Sequence, residues 1–170
     1  MRASGILSLL TAVACGGRAE QSAPADRVVA PVDLLHTTIT LARMACLGPC
    51  PIYSIRVDGS GAVTYQGDDF VRVRGPASRQ IAASEAEGLV NEFEQADYWR
   101  LSVPQCLVID DASSAITSMT RDQTTHKIDH NLSNHCAPAV LDTLERHVDE
   151  VTGSADWVSC ATPDGTCETP

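Results

Sequence analysis

Two hydrophobic periods, alternating along the sequence, restrict what this chain can fold into. Thr38-Ile39-Thr40-Leu41-Ala42-Arg43 alternates by twos, the mark of a half-buried strand with Ile39 and Leu41 on one face. Ile52-Tyr53-Ser54-Ile55-Arg56-Val57 does the same, Asp58-Gly59-Ser60-Gly61 supplies turn residues, and Ala62-Val63-Thr64-Tyr65-Gln66 returns, which predicts a hairpin. Phe70-Val71-Arg72-Val73-Arg74 continues the alternation and reads as a further strand stopped by Gly75-Pro76. The period then lengthens. Ala86, Leu89, Val90, Phe93 and Ala96 recur at helical spacing behind a Ser84/Glu87 capping-box pattern, which predicts a helix over 85–97, with Tyr98 and Trp99 docking its end on the sheet. A second hairpin is expected over 115–120 and 124–130, turning at Asp122-Gln123. Pro138 then opens a helix with the stripe Val140, Leu141, Leu144, Val148 and Val151, ended by Gly153. Strands, helix, hairpin, helix is the order of an α+β fold: an antiparallel sheet of about five or six strands with two helices packed on one face.

Seven cysteines is an odd number, and the first accounts for the oddness. Cys15 closes a short apolar leader that begins with Arg2 and runs through Ile6-Leu7-Ser8-Leu9-Leu10-Thr11-Ala12-Val13-Ala14. This resembles a bacterial lipoprotein signal, cut before a cysteine that takes the lipid. The expected organisation is a signal peptide over 1–14, lipidation at Cys15, a Gly/Ala/Ser/Pro-rich flexible tether over 15–36, a single α+β domain over 37–157 and a loosely ordered tail over 158–170. Six cysteines remain, an even set suited to an oxidising compartment. Their connectivity is open. The simplest scheme pairs Cys46 with Cys50, Cys106 with Cys136, and Cys160 with Cys167.

The balance of 12 Lys+Arg against 22 Asp+Glu, net −10, leaves Lys127 as the sole lysine. A chain so acidic is a poor match to phosphate backbones, so no nucleic-acid partner is expected.

Cys46-Leu47-Gly48-Pro49-Cys50-Pro51 is the sharpest local motif, and three readings compete for it. A structural disulfide would brace the turn between the first two strands. A redox pair would need a thiol of lowered pKa, yet Cys50 runs into a strand, so the helix dipole that usually activates such thiols is missing. A copper or zinc site would use two thiolates and an imidazole. The spacing resembles the copper motif of Sco-type assembly proteins, but those place a helix after the motif.

With its surroundings the motif resembles a different family. Arg43, Cys46, Gly48, Cys50, Pro51 and Tyr53, followed by Gly61, Val63, Tyr65 and Gly67, are similar to a family of bacterial envelope domains known only as a domain of unknown function, often on lipoproteins. The resemblance runs from about Thr37 to Trp157. It implies the fold class and an envelope location, and supplies no catalytic residues.

The remaining polar groups take plain readings. His126, His130 and His135 are expected at the surface. His126 and His130 would share a strand face about 13 Å apart at roughly 3.3 Å per residue, too far for one ion. Asp110 and Asp111 read as turn chemistry, and Arg72, Arg74 and Arg79 as an exposed strand face or edge.

The expectation is a lipid-anchored protein of the cell envelope, on the periplasmic or extracellular face, with the outer membrane favoured by Gly16 after Cys15. It is expected to be a non-enzymatic binding or accessory module with no catalytic residues, no metal and no cofactor. Its partners would be the membrane, through the lipid, and an envelope protein or small ligand. The alternative is a thiol redox or copper-handling protein using Cys46 and Cys50.

Overall fold

The runs that alternate by twos become six strands in the computed structural model, which describes residues 34–159. In chain order these are β1 (Thr37–Arg43), β2 (Ile52–Asp58), β3 (Ala62–Asp69) and β4 (Gly75–Gln80), then, after the first helix, β5 (Ser114–Arg121) and β6 (Thr124–Asn131). They form one sheet in the order β4-β3-β2-β1-β5-β6, every neighbouring pair antiparallel. Helix α1 (Ala83–Gln95) bridges β4 and β5 by way of a 3-10 turn at Tyr98–Arg100, and α2 (Ala139–Thr152) follows β6. This is the α+β fold that the two periods imply.

Period 2 decides which face is covered. Ile39 and Leu41, Ile55 and Val57, Val63 and Tyr65, Met119 and Ile128 all point inward and are buried. They meet Ala86, Leu89, Val90 and Phe93 of α1 and Leu141, Leu144 and Val148 of α2 in a single core. Both helices therefore lie on that face, where every buried leucine or valine contributes about 1.5–3 kcal/mol of transfer free energy. The opposite face carries Thr38, Thr40, Ser54, Arg56 and Thr64, and no helix among the described residues covers it.

Three local expectations change. The capping-box position shifts: α1 starts at Ala83, and Glu85, not Glu87, reaches back to accept from the Ala82 N–H at 2.9 Å. Strand and turn exchange places around Gly75, so β3 ends at Asp69 and Gly75-Pro76 opens β4, not a stop after it. Proline is tolerated there because β4 is an edge strand. The apolar alternation of 70–74 belongs to a turn that folds inward. Val71 is buried, and the Val73 N–H donates to the Trp157 carbonyl at 2.8 Å.

That carbonyl sits on a short helix, α3 (Ala155–Val158), for which the sequence carries no helical expectation. Gly153, at φ 64°, turns the chain out of α2, and Trp157 then stacks on Tyr65 with ring centroids 4.9 Å apart. Gly67 makes room below the turn: a Cβ there would come within 2.1 Å of the Val73 carbonyl oxygen.

Candidate functional site

Continuing the inward alternation by one more step puts polar groups inside. Arg43 follows Ile39 and Leu41 on β1, and Tyr53 pairs with it across β2. On the other side Ala115 of β5 pairs with Arg43, and His130 of β6 pairs with Ala115. One transverse row of the sheet thus reads Tyr53, Arg43, Ala115, His130. Above it, α2 presents Glu145 and Asp149, one turn apart on its inner side.

The row and the helix carboxylates form a continuous chain of bonds. Tyr53 Oη donates to Asp149 Oδ1 at 2.7 Å, and Ser154 Oγ donates to the same oxygen at 2.8 Å. Arg43 Nη2 reaches Asp149 Oδ2 at 2.9 Å and Arg43 Nη1 reaches Glu145 Oε2 at 3.0 Å. Glu145 Oε1 lies 2.9 Å from His130 Nδ1. Glu145 and His130 are 1% and 2% exposed, which makes Glu145 a carboxylate in the middle of an apolar stripe. Such a charge is tolerated only because it is paired on both oxygens. Removing one partner of a buried pair costs about 3–5 kcal/mol, although the intact pair contributes little net stability.

Burial dominates the electrostatics here. It raises the Glu145 pKa above the ordinary 4.5, and the hydrogen bond from His130 and the charge of Arg43 only partly offset it. Tyr53 is pushed well above the usual phenol range, first by burial and then by the Asp149 carboxylate. Burial alone would lower the Arg43 pKa, but Asp149, Tyr53 and Glu145 outweigh it and hold the guanidinium charged.

At the outer end of the row, Arg43 and Tyr53 line a cleft of about 310 Å³ together with Cys50, Pro51, Ser113, Leu132 and Val158. Three loops around it are laced together. Met44 N–H donates to the Ser114 carbonyl, Leu47 N–H to the Asp111 carbonyl, and Leu132 N–H to the Ser113 carbonyl, all at 2.9–3.0 Å. Ile109 N–H donates to Ser133 Oγ at 2.7 Å, tying the 101–113 loop to the segment after β6. On these loops Leu47, Leu107 and Ile109 are 82%, 96% and 66% exposed, and Met44 and Leu132 are also open to solvent. Backbone pairing between these loops thus holds large, solvent-exposed apolar side chains at one end of the sheet.

The cysteines frame the same end. Cys46 is bonded to Cys50, with Cα atoms 5.8 Å apart, and Cys106 to Cys136, with Cα atoms 6.1 Å apart. The second bond joins the long loop after α1 to the start of α2. Cys15, Cys160 and Cys167 lie outside the described residues.

The histidines need correction. Of His126, His130 and His135, only the last is at the surface. His126 and His130 alternate with buried Ile128 on β6, so period 2 carries all three inward. His126 is half-buried with Nε2 2.9 Å from the Leu101 carbonyl oxygen, and His130 is buried against Glu145. Asp110 and Asp111 are exposed, with the Asp111 backbone carbonyl, not its side chain, in use. The three arginines separate: Arg72 is exposed, Arg74 pairs with Asp69, and Arg79 pairs with Asp156 at 3.0 Å and lies over the Trp157 ring.

Sequence reasoning missed the Tyr53–Asp149–Arg43–Glu145–His130 chain, although its signal was present. Arg43 and His130 each continue a strict inward alternation, and Glu145 stands four residues after Leu141 and three before Val148. A charged residue in phase with a buried stripe calls for a partner from another element. Among the described residues, His130, Asp142 and Glu145 are a set whose ligand atoms come close enough to share a metal ion.

A family model described as Domain of unknown function (DUF6438) matches residues 37–152, from the first residue of β1 to the last of α2. No curated protein matches the chain.

Proposed function

The chain belongs to the DUF6438 family of domains of unknown function, and from that premise we propose that it works as a lipid-anchored, non-enzymatic binding module of a bacterial cell envelope. The observation that carries the binding part is the laced loop end, where Leu132 lines the cleft and Met44, Leu47, Leu107 and Ile109 stand exposed on the adjoining loops. Large apolar side chains gathered in the open at one end of a folded domain usually mark a place where something docks. The polar row behind the cleft supports the same reading. Arg43, Tyr53, Glu145 and Asp149 bond one another, so they stiffen the floor of the site instead of standing ready for a reacting group. The anchor rests on the leader and Cys15, and the occupant is an envelope protein or small ligand that presents apolar groups.

Photo-crosslinking in the native envelope tests the binding reading. A photoreactive residue at Leu47 or Ile109 is expected to give a discrete adduct, and one at Arg56, on the open sheet face, none. No adduct from either loop position, or the same adduct from Arg56, overturns the proposal.

One observation favours the thiol reading as a second possibility: Cys50 lines the cleft beside Arg43. Against it, β2 starts at Ile52, so Cys50 sits at no helix N-terminus that would stabilise a thiolate. Thiol titration of native protein separates the two. A pair that opens under mild reductant supports exchange chemistry, and a resistant pair supports bracing.

A further inference from the structure

We propose that His130, Asp142 and Glu145 form a binding site for a divalent cation of the zinc type, independent of what docks on the loops. His130 comes from β6, and Asp142 and Glu145 are one turn apart on α2, so the site joins a strand to the helix that covers it. The atoms that face each other are His130 Nδ1, Glu145 Oε1 at 2.9 Å from it, and Asp142 Oδ1 at 3.9 Å from it. All three ligand atoms lie within 4.8 Å of one another. Tetrahedral zinc with bonds of about 2.0–2.2 Å sets its ligands roughly 3.3–3.6 Å apart. The observed distances straddle that value, and small rotations of Asp142 and Glu145 reach it.

Four features go beyond mere proximity. His130 and Glu145 are buried and oriented before any ion arrives, whereas Asp142 is 70% exposed and can close over the ion from the solvent side. Arg43 occupies Glu145 Oε2, which leaves Oε1 directed at His130; outer partners of this kind fix ligand orientation in zinc sites. The charges also match. Asp142, Glu145 and Asp149 against the single guanidinium of Arg43 leave a surplus of two negative charges, which one divalent ion neutralises. Finally, one imidazole nitrogen with two carboxylates suits zinc better than calcium or magnesium, which take oxygen ligands, or copper(I), which takes sulfur. On binding, the proton on Nδ1 passes to Nε2 of the same ring or to solvent, and the nitrogen lone pair takes its place on the metal.

Full-length chain stripped by a chelator and titrated with Zn²⁺ in a calorimeter, and separately with Co²⁺ followed by visible absorption, tests the site. One equivalent of Zn²⁺ should bind, and Co²⁺ should give the absorption bands of low-coordinate nitrogen and oxygen ligation. Asp142→Asn alters only an exposed side chain, so the fold is expected to persist while affinity falls by at least about tenfold. His130→Gln should abolish binding, and His135→Gln, at the exposed histidine, should leave it unchanged. Absence of heat and absorption bands in folded wild-type protein overturns the proposal. So does an Asp142→Asn variant that binds as tightly as wild type, or loss of binding in His135→Gln.

Discussion

Glu145 is the residue on which the interior polar chain turns, and its ionisation sets a pH signature. Burial is the leading cause of its raised pKa. An acid whose folded pKa exceeds its unfolded value contributes stability that is complete below the unfolded pKa and drains away as pH rises through the folded one. Gln at the same position does not titrate. The melting temperature of wild type relative to Glu145→Gln should therefore fall as pH rises above the ordinary carboxylate value of 4.5, measured by calorimetry in buffers of matched ionic strength. A relative rise over that range would mean that Arg43 and His130 outweigh burial. This carboxylate also shows where the sequence was legible and where it was not. The inward phase of Arg43, His130 and Glu145 is written in the spacing. Which carboxylate meets which cation is not, because Arg43 and Glu145 lie 102 residues apart and only the sheet order brings them together.

Among the elements, the strands other than β4 and both long helices were readable because each has a covered face and an open one. Turn residues 70–74 were misread for a physical reason: Val71 is buried in the core and Val73 packs against it, and packing alone cannot say whether the backbone is paired. Helix α3 carries a single large apolar residue, Trp157, too little for any periodicity to register. The two disulfides brace elements of different reach. The Cys46–Cys50 bond closes a loop with a sequence separation of 4, the Cys106–Cys136 bond one with a separation of 30. Loop-closure entropy assigns them about 2 and about 3–4 kcal/mol. Replacing Cys106 and Cys136 by alanine should thus lower unfolding free energy more than replacing Cys46 and Cys50, as read from urea titrations. Equal losses would mean that Cys46–Cys50 does more than fix its own turn.

For the molecule as a whole, the proposed lipid anchor and the proposed docking loops can be tested apart. If Cys15 carries a lipid, Cys15→Ser should move the protein from the membrane fraction to the soluble fraction while its unfolding free energy changes by less than about 0.5 kcal/mol. Continued sedimentation with membranes would point to some other means of attachment. No helix among the described residues is long and apolar enough to cross a membrane. The described chain enters at Leu34, whose carbonyl accepts from the Thr37 N–H and whose backbone packs on Gly59 at the β2–β3 turn. The apolar loops start where β1 stops, at Met44, seven strand residues further on. β1 thereby sets a spacing of about 20 Å between Leu34 and the apolar loops. A molecule tethered from that entry side would hold its greasy fingertips outward, toward whatever passes, and keep them off the lipid beneath.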